Sequence, residues 1–161
     1  MPDRLVVRAL TDAHSRDIAG WRYSGPWRCY DLRPEDGPPE ADDGYHAIVG
    51  DPGGELVGFL CTGEEARVPG IGEEPDVVDV GVGMRPELVG QGYGARFGEA
   101  VLDHLRAIGA SRARAVVQSW NERSIRTARR MGFVENTRHV CRQDGRDVEY
   151  VVLGMELPPR G

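Results

Sequence analysis

Residues 78–95 read VDVGVGMRPELVGQGYGA and join an apolar strand to an amphipathic helix. Apolar residues recur at helical spacing and predict a helix over residues 92–108. Gly90, Gly92 and Gly94 occupy every second position around the start of that helix. Glycine has no Cβ, so a ligand can approach the backbone closely at these positions. The first amides of a helix also lack internal partners and favour an anion. This junction therefore predicts a site for a phosphate-bearing ligand.

The glycine pattern by itself leaves other interpretations open. A glycine-rich turn can serve only to change the direction of the chain. The dinucleotide pattern GxGxxG is not met, because the residues three positions after Gly92 and Gly94 are Ala95 and Phe97. All 20 basic residues are arginines, which excludes a lysine-containing phosphate loop and a pyridoxal Schiff base.

The predicted elements follow one another as strand, helix, three strands, helix, strand, helix and two strands, which favours a mixed α/β or α+β sheet. Thr11 and Asp12 offer N-cap chemistry to the first helix, and Asn121 offers it to the last. Gly and Pro among acidic residues predict an irregular loop over residues 25–44. The predicted strands cover residues 4–10, 45–49, 55–62, 77–84, 113–118, 133–142 and 147–157, and the other two helices run from Asp12 towards Tyr23 and from Asn121 to Gly132.

Length and composition predict a single domain over residues 1–161. Cys29, Cys61 and Cys141 are odd in number and far apart, and the histidines do not cluster with them, so neither a metal site nor a disulfide framework is predicted. The start of the chain lacks the apolar run of a signal peptide, and no stretch approaches the roughly 20 residues of a membrane span. We therefore expect a cytoplasmic protein that does not act at a membrane.

The net charge of −6 is unevenly distributed along the chain. Residues 34–79 contain 13 acidic residues against Arg67 alone, whereas residues 80–161 contain 13 arginines against 9 acidic residues. An acidic middle segment would repel phosphates, so no nucleic-acid partner is expected. The basic C-terminal half could bind a small polyanion, although charge blocks are commonly only solvated faces.

Residues 78–95 resemble the acetyl-CoA-binding core of the GNAT N-acetyltransferase superfamily. The core pattern of that family is Q/R-x-x-G-x-G/A, and residues 89–94 match it at both glycines. Val89 replaces the usual Gln or Arg, and because this position contributes mainly a backbone amide in the family, we expect the change to be tolerated. A second family pattern, N-x-x-A/S followed by x-G-F, is similar to residues 121–124 and 131–133.

The resemblance implies a GNAT-like α/β (α+β) fold with a mixed, mostly antiparallel seven-stranded sheet, splayed parallel strands 4 and 5, and about four flanking helices. It implies acetyl-CoA as a co-substrate lying in the splay, with no metal. Pantetheine would pair with the backbone of strand 4, the pyrophosphate would lie on the glycine-rich loop, and the start of the last helix would contact CoA. The residues implied to bind the cofactor are Val82, Gly83, Met84, Val89, Gly90, Gln91, Gly92, Tyr93, Gly94, Ala95 and Asn121.

Direct acyl transfer needs a proton acceptor for the amine, a polarised thioester carbonyl and a way to reprotonate the leaving thiolate. In many relatives a carboxylate on the fourth strand acts as the base, and Asp79 is the only carboxylate within residues 77–84, so we predict it as the catalytic residue. The usual general acid of the family is a tyrosine seven positions after the asparagine, where this chain has Ala128. Ser124, Tyr150 or water are the alternatives for that step.

The leading functional hypothesis is a bacterial-type N-acetyltransferase that moves the acetyl group of acetyl-CoA directly to a primary amine of a small molecule or peptide. The protein is expected to be a monomer or a homodimer. The aromatic residues Trp21, Tyr23, Trp27 and Tyr30 either belong to the core or line the acceptor pocket. A catalytically silent acyl-CoA-binding module and a phosphate-binding module unrelated to CoA are the alternatives.

Overall fold

One seven-stranded sheet organises residues 2–158, which the computed structural model describes. Its strands lie in the order β1-β2-β3-β4-β5-β7-β6. They are β1 (Arg4–Ala9), β2 (Tyr45–Asp51), β3 (Leu56–Thr62), β4 (Val78–Met84), β5 (Arg112–Gln118), β6 (Val134–Gln143) and β7 (Arg146–Glu156). Only β4 and β5 pair in parallel, and the other neighbours are antiparallel. The sheet is therefore mixed and mostly antiparallel, as predicted.

Within residues 2–158, three α-helices and several shorter 3₁₀ helices connect the strands. The α-helices are α1 (Asp12–Ala19), α2 (Gly94–Ala107) and α3 (Glu122–Met131). The longest 3₁₀ helix is Gly25–Tyr30, and the shorter ones are Pro34–Asp36, Ala41–Asp43, Gly63–Ala66 and Pro86–Leu88. No helix within the described range is long and apolar enough to cross a bilayer.

The two faces of the sheet have separate cores. Helices α2 and α3 pack on one face, where Phe97 and Leu105 are buried with Val80 of β4 and Leu153 of β7. Helix α1 packs on the other face, where Ile18 and Trp21 meet a smaller apolar cluster that includes Val49. Asp79 has the opposite side-chain direction from Val80, because successive side chains of a strand alternate between faces. Asp79 therefore belongs to the α1 face.

Local signals account for the element ends. The Thr11 hydroxyl accepts the His14 amide at 3.1 Å, which confirms the predicted N-cap of α1. This helix ends at Ala19 rather than near Tyr23, because the Gly20 amide turns back onto the carbonyls of Asp17 and Ile18. Asp144 and Gly145 both have positive φ, the conformation that a two-residue hairpin turn between β6 and β7 requires.

Candidate active site

A wedge-shaped gap opens between the parallel strands β4 and β5. They pair only at Val78 with Ala113 and at Asp79 with Arg114, after which β5 continues along β7 as far as Gln118. Strand β4 stays paired with β3 through Met84. The second half of β4 therefore has one edge that no other strand covers within the described sheet, as predicted for the splay.

The backbone groups on that free edge follow from the pairing of β4 with β3. The Arg85 amide donates to the Val57 carbonyl of β3 at 2.7 Å. Because backbone groups alternate in direction along a strand, the amides of Val82 and Met84 point away from β3 and into the gap. The Val82 side chain is also 51% exposed. Of the three residues predicted to pair with pantetheine, two thus present their backbone to the gap, whereas the backbone of Gly83 faces β3.

The glycine-rich loop between β4 and α2 leaves a row of backbone amides open. Gly90 and Gly92 have φ values of 78° and 89°, which an L side chain adopts only with strain. The amides of Gly90 and of residues 92–95 donate to no backbone carbonyl in residues 2–158, whereas those of Val89 and Gln91 close turns within the loop. A Cβ added at Gly90 or Gly94 would meet nothing within 4 Å. This open row at a helix start fits a pyrophosphate, with its anionic oxygens on the free amides.

Arg85, the first residue of that loop, ties it to α1. The Arg85 guanidinium forms an ion pair with Asp17, donates from Nε to the Leu56 carbonyl at 2.9 Å and lies 5.1 Å from the centre of the Trp21 ring. The hydrogen bond from Arg85 lowers the pKa of Asp17 below its ordinary value. The entrance of the loop is thus fixed on the opposite face of the sheet, and no local sequence signal indicated this contact.

Asn121 is 3% exposed and all of its hydrogen-bonding capacity is used. Its Oδ1 accepts the Ser124 amide and the Trp27 indole, each at 3.3 Å. Its Nδ2 donates to the Tyr30 hydroxyl at 3.1 Å and to the Ser124 hydroxyl at 3.0 Å. A side-chain amide offers two donor hydrogens and one acceptor oxygen with two lone pairs. Asn121 is therefore the N-cap of α3, and a direct contact with CoA stays a prediction that requires one of these bonds to open.

Residues 23–30, called the cap below, cross the mouth of the gap. At one end the Tyr23 hydroxyl donates to the Met84 carbonyl of β4 at 2.7 Å. At the other end Trp27 and Tyr30 bind Asn121, at the start of α3. Both rings pack against Trp120, with ring centres 5.6 and 6.1 Å apart. Of the four aromatic residues considered above, only Trp21 belongs to the core, and the other three form the cap.

Asp79 is the centre of a buried ion-pair cluster. The carboxylate is 2% exposed, and Oδ2 accepts from Arg67 and from Arg114, each at 3.0 Å, while Oδ1 accepts from Arg114 Nε. Arg114 also holds the loop of residues 67–77 through Glu74 and the Gly72 carbonyl. Both carboxylate oxygens accept hydrogen bonds from charged donors, so the carboxylate is committed to holding Arg67 and Arg114 in place. This geometry favours a structural role over the predicted role as a base.

The alternative proton donors differ in whether their hydroxyl hydrogens are already used in hydrogen bonds. Ala128 is buried against the core, so α3 offers no hydroxyl at that position. Tyr150 donates its proton to Gln143 Oε1 at 2.6 Å. The Ser124 hydroxyl accepts from Asn121 and, within residues 2–158, donates to no acceptor. The proton of Tyr150 is thus engaged, whereas the hydroxyl hydrogen of Ser124 is not, and Ser124 stays a candidate donor.

An acidic cavity of about 470 Å³ lies at the open end of the β2–β3 hairpin, where β2 begins and β3 ends. Its lining residues are Asp42, Asp43, Gly44, Thr62, Glu64 and Glu65. Among residues 2–158 none of its four carboxylates forms an ion pair. The described residues contain no group of three or more side chains arranged to hold a metal ion.

Comparison with known proteins agrees with this geometry. The family model described as acetyltransferase (GNAT) family matches residues 11–133, so the chain belongs to the GNAT acetyltransferase family. A chimera of the Vibrio cholerae spermidine N-acetyltransferase SpeG and hSSAT has the same fold, with a TM-score of 0.71, 16% identity and 96% of each chain covered. No curated protein matches the sequence.

Two further solved structures share the fold. A GNAT-family acetyltransferase from Bacillus anthracis gives a TM-score of 0.72 at 13% identity, with 97% of this chain and 96% of that chain covered. The ribosomal-protein alanine N-acetyltransferase of Escherichia coli gives 0.62 at 16% identity, with 98% and 96% covered. The predicted GNAT-like fold with splayed parallel strands 4 and 5 is confirmed.

Proposed function

We propose that the protein transfers the acetyl group of acetyl-CoA directly to a primary amine of a small molecule or peptide. The observation that carries this proposal is the row of open amides at Gly90 and residues 92–95, placed beside the uncovered edge of β4. The first feature suits a pyrophosphate, and the second suits an extended amide-containing arm. Their adjacency fits one molecule that has both parts, as acetyl-CoA does.

Each backbone feature has a part in this proposal. The amides of the glycine-rich loop hold the anionic oxygens of the pyrophosphate. The amides of Val82 and Met84 face the gap and are free to pair with the pantetheine arm, which aligns the thioester along β4. An amide directed at the thioester oxygen also stabilises the negative charge that develops there during attack. Acetyl-CoA itself supplies the activated acetyl group.

The charge distribution supports a cationic acceptor. The acidic cavity lies on the Gly63–Ala66 segment, which covers β4 next to Gly81. A cavity lined by one sign of charge raises the local concentration of ligands of the opposite sign. A protonated primary amine is such a ligand. The amine then has to lose its proton before attack. Asp79 is the one carboxylate on β4, and its oxygens already accept from Arg67 and Arg114, so this step has no free carboxylate on that strand.

A catalytically silent acyl-CoA-binding domain is the second candidate function. Ala128 favours it, because the helix that carries the usual acid in the family has only a buried methyl group there. Such a domain would bind acetyl-CoA through the same loop but would not release CoA faster than the uncatalysed reaction.

One experiment separates these functions. Acetyl-CoA is incubated with the protein and a panel of free amines, namely amino acids, polyamines, aminoglycosides and peptides with free N-termini, and the released thiol is measured. We expect amine-dependent release with at least one acceptor, together with acetyl-CoA binding by calorimetry. Binding without release for any amine would favour the silent domain, and the absence of binding would contradict both.

A further inference from the structure

Tyr23, Tyr30 and Tyr150 differ in whether their hydroxyl protons are already donated. Tyr23 donates to the Met84 carbonyl and Tyr150 donates to Gln143. The Tyr30 hydroxyl accepts from Asn121 Nδ2 at 3.1 Å but donates to no acceptor in the described part of the chain. Tyr30 as a whole residue is 39% exposed, so it lies at the surface of the cap rather than in the core. Tyr30 therefore keeps a proton available for a ligand.

The position of Tyr30 brings that proton to the mouth of the gap. The cap carries it from the β4 side, where Tyr23 is bound, to the start of α3, where Asn121 fixes its hydroxyl oxygen. The Trp120 ring supports the Tyr30 ring at a centre-to-centre distance of 6.1 Å. Because the hydroxyl oxygen is held by Asn121 while its hydrogen is free, the hydrogen can point towards the gap between β4 and β5.

We propose that Tyr30 donates a hydrogen bond to the sulfur of CoA as the thioester breaks, an inference that rests on the proposed acetyl transfer. In this step the amine nitrogen forms a bond to the acetyl carbon, and the carbon–sulfur bond breaks with its electron pair going to sulfur. The nitrogen releases one proton to solvent, and the thiolate takes one proton from solvent. The Tyr30 hydrogen bond stabilises the charge on sulfur in between and leaves Tyr30 unchanged.

The environment of Tyr30 suits a neutral donor. Burial of the ring raises the pKa of Tyr30 to about 12, although the hydrogen bond from Asn121 opposes this rise. A thiol ionises near 8.5, so a phenol of that acidity stabilises a thiolate by hydrogen bonding without giving up its proton. The hydroxyl thus stays protonated throughout the neutral pH range, in which the transfer would take place.

The test asks how much of the affinity for CoA depends on its sulfur atom. CoA and desulfo-CoA are titrated by calorimetry at pH 9, where part of the CoA thiol is ionised, into the wild type, Tyr30→Phe and Tyr150→Phe. We expect Tyr30→Phe to bind CoA about 10-fold more weakly and desulfo-CoA equally well, since a hydrogen bond to a charged group is lost only with CoA. Tyr150→Phe is the matched control, because its hydroxyl already donates to Gln143, and it should bind both ligands as the wild type does.

A kinetic arm uses acetyl-CoA with hydroxylamine, an amine that is largely unprotonated at pH 7.5 and needs no base. We expect kcat to fall about 10- to 100-fold in Tyr30→Phe. The assignment would be overturned if Tyr30→Phe lost affinity equally for CoA and desulfo-CoA, or if its CoA affinity were unchanged. It would also be overturned if Tyr150→Phe showed the loss instead. If the wild type shows sulfur-dependent binding but no transfer, the proposed function fails while the Tyr30 contact stands. If the wild type does not bind CoA, both fail.

Discussion

The Tyr23 hydroxyl donates a 2.7 Å hydrogen bond to the carbonyl oxygen of Met84, and this bond joins the cap to the last residue of β4. The other end of the cap is bound to Asn121, so the cap links the end of β4 to the start of α3, which follows β5 in the chain. Burial raises the pKa of Tyr23 well above its ordinary value, so the hydroxyl stays a donor. The mouth of the site is therefore closed by side chains from a segment outside the sheet.

Tyr23→Phe should lower the free energy of unfolding by about 0.5–1.5 kcal/mol, the usual net contribution of one hydrogen bond. Urea unfolding followed by tryptophan fluorescence measures the change. Tyr93→Phe is the matched control and should have little effect, because Tyr93 packs partly buried on the main core and its hydroxyl takes part in no hydrogen bond described within residues 2–158. Equal stability of Tyr23→Phe and the wild type would mean that the bond to Met84 is replaced by water without cost.

Gly94→Val should abolish detectable acetyl-CoA binding. A side chain at Gly94 enters open space in the free protein and needs no positive φ, so the fold tolerates it while the side chain blocks approach of the pyrophosphate to the amides. Gly109→Val, just beyond α2, is the control: its side chain also enters open space, and its φ of 80° adds strain. It should lower the melting temperature but keep acetyl-CoA affinity. Wild-type affinity in Gly94→Val would remove the loop from the cofactor site.

Asp79→Asn should reduce stability, because it leaves the Arg67 and Arg114 guanidinium groups with less counter-charge in a site where both are largely buried. A loss of about 1–3 kcal/mol in urea unfolding is expected. If Asp79 is also the base, kcat at neutral pH falls 10²–10⁴-fold and the residual rate rises with pH. A destabilised variant with near wild-type kcat would assign Asp79 a purely structural role, and an active variant of unchanged stability would contradict both roles.

Stability should decrease as the pH falls below about 6.5, because of a histidine pair between β2 and α2. The rings of His46 and His104 are 4.7 Å apart, and burial, followed by the proximity of His46, lowers the pKa of His104. Because the pKa of His104 is lowered in the folded state, the unfolded chain takes up the proton first as the pH falls. The contribution of neutral His104 to the free energy of unfolding, present above pH 6.5, is therefore lost at lower pH. Unfolding free energies measured at pH 7.5 and pH 5 test this.

His104→Gln is the variant that removes this pH dependence, because glutamine does not titrate. The difference in stability between the two pH values should shrink in His104→Gln and persist in His139→Gln, whose side chain contacts the Pro69 carbonyl elsewhere on the sheet. The same pH dependence in His104→Gln as in the wild type would exclude the pair as its cause.

Much of the fold could be predicted because its signals are local. The spacing of Gly90, Gly92 and Gly94 before an amphipathic helix indicated the phosphate-binding loop, and two positive φ angles agree with the need for glycine there. Asn121 at the start of α3 was equally readable as an N-cap. Turns, caps and helical periodicity depend on residues within a few positions of one another, so the sequence alone carries them.

The tertiary structure decided the contacts between distant segments. Asp79 is an ordinary strand carboxylate by pattern, and only the arrival of Arg114 from β5, 35 positions away, turns it into a buried ion-pair centre. Tyr30 meets Asn121 across 91 positions, and Tyr23 meets Met84 across 61. Whether such a hydroxyl has a free proton depends on which acceptor the fold brings beside it, and side-chain spacing along the chain does not contain that information.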